Sequence, residues 1–417
     1  MPVATVSCRS SAPESRATLS WSTSTSIGHS KCWPSQASCP NFATGGARVA
    51  PRSVATARAD HFTCDNGGVN APGLVDELNE AAQRAGLVAL GVAAVEPFVA
   101  TREALETRKA KGLHGGMAFT YRDPARSTDP ARILDGARTI VVGALPYAAG
   151  SVSESSFEGP AGRVARYAIT DHYGTLRSAL EEVAAVLEAG GHRTRVVLDD
   201  NALVDRAAAQ RAGLGWFGHN ANLLVPGYGS WVVLGSIVTD ADLSPSEPVP
   251  DGCGICRRCL DGCPTAAIVA PGVVDARRCL AWLVQAEGTF PLEFREALGD
   301  RIYGCDECQE VCPPARRSPQ AKEPIDASSS WVDLLWMLQA EDDELLSQLG
   351  RWYIPRRDPR YLRRNALLAL GNSADPESID VRSEIERFAA NGADDEMLQE
   401  HAQWALRRLD ERAQVRT

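Results

Sequence analysis

Long hydrophobic runs are missing from this sequence. No apolar stretch approaches the ~18 residues that a membrane helix requires, so we expect no membrane span. A twin-arginine motif and the apolar segment of a secretory signal are also missing, which argues against export. We therefore expect a cytoplasmic protein.

Acidic residues are scarce near the N-terminus. Between positions 1 and 58, Glu14 is the single acidic residue, beside six Lys or Arg and many serines. Residues 1–72 show no hydrophobic periodicity, so we interpret them as a disordered or targeting-like N-terminal extension. A transit peptide and a start codon assigned too far upstream explain this composition equally well. The extension carries four cysteines without metal-like spacing, Cys8, Cys32, Cys39 and Cys64.

The remaining composition is that of a globular enzyme. A chain of 417 residues predicts two or three domains. Its hydrophobic content of 44% and charged content of 23% are ordinary. A net charge of −10 argues against a surface that coats nucleic acid generally, so a polyanionic partner requires a local basic patch.

Eight cysteines between Cys253 and Cys312 carry the strongest signal. The first run reads Cys253-Gly-Ile-Cys256-Arg-Arg-Cys259-Leu-Asp-Gly-Cys263-Pro264, the pattern of bacterial ferredoxins that hold two [4Fe-4S] clusters. A second run reads Cys305-Asp-Glu-Cys308-Gln-Glu-Val-Cys312-Pro313, and Cys279 lies between the runs. In such proteins the fourth cysteine of a run ligates the other cluster. This predicts one cluster on Cys253, Cys256, Cys259 and Cys312, and another on Cys263, Cys279, Cys305 and Cys308.

Structural zinc and disulfides are the alternatives for these cysteines. Zinc sites usually combine two C-x2-C pairs without the continuation to a fourth cysteine and proline. Neighbouring thiols on a tight loop are badly placed to bridge one another, and the composition is that of a reduced intracellular protein. We therefore favour two iron-sulfur clusters.

Three folded domains are predicted. In residues 73–245 strands alternate with helices, which predicts an α/β domain; residues 214–238 leave no room for a crossover helix, so part of the sheet is expected to be antiparallel. Residues 246–320 form the ferredoxin-like domain, between linkers at Pro245–Pro250 and Ser318–Ser330. Residues 321–417 are expected to be helical to the end beyond Trp331. Similar segments at 364–370 and 400–406, 36 residues apart, favour HEAT-like helix pairs, against a small bundle that caps the ferredoxin domain.

Long ordered motifs resemble the epoxyqueuosine reductase family. They include Asp199-Asp-Asn-Ala-Leu-Val-Asp205, Ala212-Gly-Leu-Gly-Trp216-Phe-Gly218-His-Asn220, Tyr228-Gly-Ser-Trp231 and both cysteine runs. The resemblance covers about residues 73 to 410. It implies cobalamin beside the two [4Fe-4S] clusters, bound by the N-terminal α/β domain. It also implies reduction of epoxyqueuosine to queuosine at the wobble position of tRNA. The chain lacks Asp-x-His-x-x-Gly, the motif whose histidine replaces the lower ligand of cobalamin in other proteins.

The resemblance also assigns site residues and partners. Asp205 matches the proposed proton donor, since a carboxylic acid beside an apolar corrin face can stay protonated; pairing with Arg206 or helix capping is the structural alternative. Cofactor contacts are expected at Asp199, Asp200, Gly215, Trp216, Gly229 and Ser230, although both aspartates equally suit helix caps and the glycines equally suit turns. The implied partners are a tRNA with a GUN anticodon carrying epoxyqueuosine and an external low-potential electron donor of flavodoxin or ferredoxin type. We expect a monomer.

Two departures from the family pattern affect the neighbourhood of this site. His219 stands where the family commonly has lysine, and the order Asp171-His172-Tyr173 replaces Asp-Tyr-His. Arg166 and Tyr167 are expected to line the substrate pocket.

Six arginines with interleaved aromatic residues predict a phosphate-contacting strip, with a solvated helix face as the alternative: Arg351, Arg356, Arg357, Arg360, Arg363 and Arg364.

Two other functions share part of this pattern. A reductive dehalogenase uses the same cofactors but is usually exported and needs no basic helical tail. A non-catalytic electron-transfer ferredoxin would bind no corrinoid. A redox-sensing protein that binds tRNA without changing the nucleoside is a further alternative.

Overall fold

The computed structural model describes residues 73–152, 154–325, 327–391 and 395–416. The predicted N-terminal extension and its four cysteines lie outside these residues. No helix within the described ranges is long and apolar enough to cross a membrane.

Residues 73–245 contain five α-helices and seven strands, and strands alternate with helices over much of this range. They are α1 (Leu74–Arg84), β1 (Ala89–Ala94), α2 (Val99–Ala110), α3 (Pro124–Ser127), β2 (Thr139–Pro146), β3 (Ala161–Val164), α4 (His172–Ala189), β4 (Thr194–Val197), α5 (Asp205–Arg211), β5 (Trp216–Phe217), β6 (Leu223–Leu224) and β7 (Val232–Thr239). Helix α4 begins where the Asp171 carboxylate accepts a hydrogen bond from the Gly174 amide at 2.9 Å, as an N-cap does.

The main sheet has the strand order β1-β2-β7-β4. All three pairings are antiparallel, so the expectation of a partly antiparallel sheet understates the result. Alternate residues of a strand face opposite sides. Val141 and Ile237 therefore join the core under α1 and α4, whereas Ile140 and Val238 join the core under α5. The result is a layer of helices on each face of one sheet.

Residues 246–320 are mostly loops with short elements, as expected for chain that wraps inorganic clusters. They are α6 (Arg258–Asp261), β8 (Ile268–Ala270), β9 (Val273–Val274), α7 (Leu280–Leu283), α8 (Arg295–Leu298), β10 (Arg301–Tyr303), α9 (Glu307–Glu310) and α10 (Pro313–Arg317). Strands β8 and β9 form a small antiparallel hairpin.

The C-terminal region is mostly helical, with one short strand after its first helix. Its elements are α11 (Ala327–Ser330), β11 (Trp331–Asp333), α12 (Leu334–Gln339), α13 (Asp342–Leu349), α14 (Arg360–Ser373), α15 (Ile379–Asn391) and α16 (Glu396–Arg416). The similar segments 364–370 and 400–406 lie in α14 and α16. These two helices pack closely, since a Cβ on Gly371 would lie 2.9 Å from the Ala405 Cα.

Strand β11 corrects the prediction that the chain is helical throughout beyond Trp331. It pairs antiparallel with β3, and β10 pairs parallel with the other edge of β3. This small sheet takes one strand from each predicted domain. The core around it likewise combines Ile169, Leu283 and Leu367. The three predicted segments therefore share one hydrophobic core, and the predicted linker Ser318–Ser330 contains the fully buried Ser318 and Ser330.

Candidate functional site: cysteine groups and a buried carboxyl

The eight motif cysteines form two groups of four. Burial raises the pKa of the Cys259 thiol to about 11, and Cys312, Cys253 and Cys256 raise it further by their charge. Burial also raises the pKa of Cys308, followed by the charges of Cys279, Cys305 and Cys263. For five of these cysteines, Cys259, Cys279, Cys305, Cys308 and Cys312, the thiols that raise the pKa belong to the same predicted set. The division of the eight ligands between two clusters stays a prediction.

The donor set suits [4Fe-4S] clusters, which take four thiolates each. Each thiolate binds a different iron atom, so the sulfurs need not meet at one point. Within the described ranges, no three His, Cys, Asp or Glu side chains are placed to share a single metal ion. A backbone amide supports one sulfur directly, because the Ala267 N–H donates to Cys263 Sγ at 3.2 Å. Such hydrogen bonds adjust the reduction potential of a bound cluster.

The Asp205 carboxyl is buried at the first residue of α5. Its Oδ1 atom has no hydrogen-bond partner among the residues that the structure describes. Burial raises its pKa well above the ordinary range, and the charge of Asp199 raises it further. The alternative roles are not observed: the Arg206 guanidinium donates to the Ala221 carbonyl at 3.3 Å, and the N-cap of α5 is Val204. The charge of Arg206 and a backbone hydrogen bond from Asp199 oppose this rise without cancelling it. A carboxyl with a raised pKa holds its proton to higher pH than an ordinary aspartate and can act as a proton donor.

Asp199 and Asp200 lie in the loop that leads to Asp205. Asp199 has φ of 49°, a left-handed conformation that is strained for a residue with a side chain. Its pKa is raised by burial and then by the charge of Asp200. The Asp200 carboxylate accepts a hydrogen bond from the Ala202 amide at 2.7 Å. Asp200 therefore closes a turn, and neither aspartate is the N-cap of α5.

Sequence reasoning gave no role to Tyr173, and it missed Tyr303 beside the same carboxylates. Burial raises the pKa of Tyr173, followed by the charges of Asp199 and Asp205. Burial raises the pKa of Tyr303 to about 12, and Asp199 contributes. Both phenols are thus protonated at neutral pH; Tyr173 lies near Asp199 and Asp205, and Tyr303 lies near Asp199. No local sequence pattern could have identified Tyr303, because it comes from β10 in a different predicted domain.

The other predicted cofactor residues have contacts within the protein. Gly215 lies so close to Leu224 that a Cβ would be 2.1 Å from its carbonyl oxygen, and a Cβ on Gly229 would lie 2.4 Å from the Ala315 Cα. These glycines are required by packing, so a contact with cofactor stays a prediction. Trp216 Nε1 and Ser230 Oγ are buried without a partner in the chain. Together with Asp205 Oδ1 they offer polar atoms to a bound group, which fits a cofactor rich in amides.

His219 and Asn220 connect the two cysteine groups. The His219 ring nitrogen Nδ1 lies 2.8 Å from the Cys256 carbonyl oxygen. The Asn220 side-chain amide donates to the Cys308 carbonyl at 3.4 Å. One turn of the chain therefore supports a ligand loop of each group. The histidine that departs from the family pattern has a structural role here.

Arg166 does not line the candidate site as predicted. Its guanidinium is buried and pairs with Asp306 at 3.1 Å and with Glu310 at 2.5 Å. Its ring neighbour is Trp231, with the guanidinium carbon 5.4 Å from the centroid. The carboxylates lie between Cys305 and Cys312, so Arg166 attaches this cysteine run to the first part of the chain.

The arginine strip from Arg351 to Arg364 is largely paired within the protein. Arg364 is fully buried and donates to the carbonyls of Leu283, Val284, Ala286 and Gly288. It cannot contact phosphate, and replacing it by Glu would disturb the fold. The five others also have carboxylate or carbonyl partners: Arg356 with Glu287, Arg360 with Asp358 and Asp395, Arg363 with Asp342, Arg351 with Ala168 and Ile169, and Arg357 with Gly350.

Comparisons with known proteins identify the class of the cysteine-rich domain. A profile described as "4Fe-4S double cluster binding domain" matches residues 252–315, so this part of the chain is a double-cluster iron-sulfur domain. The epoxyqueuosine reductase of Vibrio cholerae is 35% identical over 313 residues, 73% of this chain and 83% of the relative. That of Lactococcus garvieae is 33% identical over 82% of this chain and 98% of the relative.

Solved structures of epoxyqueuosine reductases are also similar to this chain. A crystal structure of an epoxyqueuosine reductase with an epoxyqueuosine-modified tRNA stem loop superposes with a TM-score of 0.73, at 30% identity over 82% of this chain and 91% of that one. The Streptococcus thermophilus epoxyqueuosine reductase gives a TM-score of 0.74 at 28% identity, over 81% and 91%. This chain belongs to the epoxyqueuosine reductase family.

Proposed function

We propose that this protein reduces epoxyqueuosine to queuosine in tRNA, with two [4Fe-4S] clusters and cobalamin as cofactors. The reaction consumes two electrons and two protons and releases the epoxide oxygen as water. When bound, the cobalamin supplies a low-valent cobalt that reacts with the epoxide, and the clusters carry single electrons from an external donor. The observation that carries the proposal is the buried, unpartnered carboxyl of Asp205.

Asp205 supplies a proton to the oxygen that leaves the ring. Because burial raises its pKa, the carboxyl holds its proton to higher pH than an ordinary aspartate, which suits a proton donor. Tyr173 beside it has a raised pKa from burial and from the charges of Asp199 and Asp205. Its hydroxyl therefore stays protonated and can hydrogen-bond the same oxygen.

The second cysteine group lies next to this carboxyl. Arg206 follows Asp205 and donates to the Ala221 carbonyl, while the preceding Asn220 donates to the Cys308 carbonyl. The pKa of Cys279 is raised by burial and lowered by the charge of Arg206. A cluster on Cys263, Cys279, Cys305 and Cys308 would thus deliver electrons beside the proton donor.

A cavity beside the Asp199–Asp205 loop is the proposed contact for RNA phosphates, in addition to the C-terminal helices. The cavity has a volume of about 550 Å³ and is lined by Asp200 and Ala202. Four exposed arginines also line it, and none has a carboxylate partner among the described residues: Arg126, Arg132, Arg177 and Arg195. Glu181 and Glu188 line it too, so it combines phosphate-binding donors with acceptors for hydroxyls.

The remaining parts of the proposal come from the family resemblance. They are a GUN-anticodon tRNA as substrate, a flavodoxin or ferredoxin as donor, action as a cytoplasmic monomer, and HEAT-like packing of α12 to α16. Membership of the epoxyqueuosine reductase family favours this function over reductive dehalogenation and over simple electron transfer.

The test is anaerobic reconstitution of the full chain with iron, sulfide and cobalamin, followed by a low-potential reductant and tRNA that carries epoxyqueuosine. Mass spectrometry of the digested nucleosides should show conversion to queuosine. Omission of cobalamin should abolish conversion. Full cluster content with no affinity for any corrinoid would contradict the proposal.

A further inference from the structure

The two cysteine groups differ in their access to solvent. Between Cys253 and Cys259 the residues Gly254, Ile255, Arg257 and Arg258 are all exposed, and Ile255 is exposed to 100%. Between Cys305 and Cys312 no residue is exposed, and Asp306 and Gln309 are buried. The loop that joins the first three ligands of the first group therefore lies at the protein surface, whereas the loop that carries Cys305 and Cys308 is covered.

The loop that follows α2 covers part of the second group. The loop after α2 packs over Cys279, where the Ala276 amide donates to the Leu113 carbonyl at 2.8 Å. The Trp282 indole N–H donates to the Gly115 carbonyl at 2.8 Å. Gly115 is needed there, because a Cβ would lie 3.0 Å from the Arg277 amide nitrogen. A large redox protein thus has no direct approach to the second group from this side.

The surface over the first group combines one apolar side chain with cations. We name it the Ile255 surface and define it by Ile255, Arg257, Arg258, Arg316 and Arg317, all exposed. Arg257 has a long, exposed pair with Asp261 at 4.0 Å. Arg258, Arg316 and Arg317 have no carboxylate within ion-pair distance among the described residues. Asp251 is the other nearby acid and accepts from the Cys253 amide.

We propose that the Ile255 surface is the docking site of an acidic, low-potential electron-transfer protein, and that electrons enter through the first cysteine group and leave through the second. The inference rests on the proposed function, because it places the reaction beside Asp205. An exposed isoleucine at the centre of a patch supplies the apolar contact of an interface, and surrounding arginines steer an acidic partner. Four arginines against two aspartates leave this surface positive, although the whole chain carries a charge of −10.

The test measures how fast the reconstituted full chain accepts electrons from two donors. A pre-reduced acidic flavodoxin serves as the protein donor, and dithionite serves as a small donor that needs no docking surface. Stopped-flow absorbance follows cluster reduction in wild type, in Ile255→Asp and in the double variant Arg257→Glu/Arg258→Glu. Matched controls elsewhere on the surface are Ile379→Asp, at a position exposed to 80%, and Arg84→Glu in α1.

The proposal expects the second-order rate constant with flavodoxin to fall about tenfold or more in both test variants. It should also fall with rising salt in wild type, since steering between opposite charges is screened. Reduction by dithionite, iron content and the rates of both controls should stay at wild-type values. The charge variant decides the matter should Ile255→Asp assemble poorly, because its side chains contact no ligand cysteine.

Two results would overturn the proposal. One is an unchanged flavodoxin rate in the charge variant. The other is a loss of tRNA affinity with flavodoxin reduction intact, which would assign the surface to RNA. Failure of the proposed function itself would look different: wild type would be reduced by both donors and would still convert no epoxyqueuosine.

Discussion

Replacement of Asp205 by Asn separates the chemistry of this carboxyl from its effect on stability. Asn has nearly the same shape but cannot donate a proton as an acid. A general acid typically contributes about 10²–10⁴-fold to a rate. We therefore expect nucleoside conversion to fall by about that factor, with iron and corrinoid content unchanged.

Stability should change in the opposite direction. The pKa of Asp205 in the folded protein is raised by burial and by Asp199. Below the ordinary pKa of aspartate both states hold the proton, and the carboxyl has no effect. As pH rises from there through the raised folded pKa, the folded state loses stability, by about 1.4 kcal/mol for each unit of difference. The Asp205→Asn variant does not lose this stability, because its amide does not ionise. The new NH₂ group also lies near the Asp199 carboxylate. It should be more stable than wild type above neutral pH.

The assay is urea unfolding of the cluster-loaded protein under anaerobic conditions, at about pH 6 and about pH 8, beside nucleoside mass spectrometry. The gap in stability between the Asp205→Asn variant and wild type should widen at the higher pH. Asp171→Asn is the matched control, because Asn caps a helix as well as Asp and Asp171 is exposed. A less stable Asp205→Asn protein at both pH values, or one with wild-type turnover, would refute the reasoning.

Three further predictions follow from packing and charge. Arg364→Met should lower the free energy of unfolding by roughly 3–5 kcal/mol, since it leaves several buried carbonyls without donors; urea titration measures this. Arg126→Glu/Arg177→Glu should weaken tRNA binding at least tenfold and reduce its salt dependence by about two phosphate contacts, measured by filter binding at several salt concentrations. Gly229→Ala should cost more than about 1 kcal/mol, because its φ is 65° and its Cβ would meet Ala315; the midpoint of urea unfolding tests this.

Each of these has a control or a contrary outcome. Arg360→Glu controls the tRNA experiment, since Arg360 already pairs with Asp358 and Asp395. Equal loss of affinity in that variant would mean that net charge, not the cavity, governs binding. For Arg364, an unfolding free energy within about 1 kcal/mol of wild type would show that the carbonyls find other donors. For Gly229, unchanged stability would show that α10 shifts without cost.

For Arg364 the prediction of a phosphate-contacting strip is wrong, for a reason that local sequence cannot reveal. Arg363 and Arg364 are neighbours on α14, yet one pairs with Asp342 at the surface and the other is fully buried among carbonyls. Adjacent helical residues point about 100° apart, and the partners come from distant segments. The distribution of arginines predicted a basic strip, whereas the free cations lie around the cavity beside Asp200.

The sequence by itself determined the cysteine groups and the family. Ligand loops are local: two or three residues between thiols decide which sulfurs can reach one cluster, so spacing alone predicts how the eight cysteines divide between two groups. Tertiary structure decided which carboxyl is buried, which group of thiols is covered, and which arginines are free. Those properties depend on packing between segments more than a hundred residues apart, as with the Arg166–Asp306 pair. Solvation and charge pairing set the pKa of Asp205 and the accessibility of Ile255, and neither can be read from neighbours along the chain.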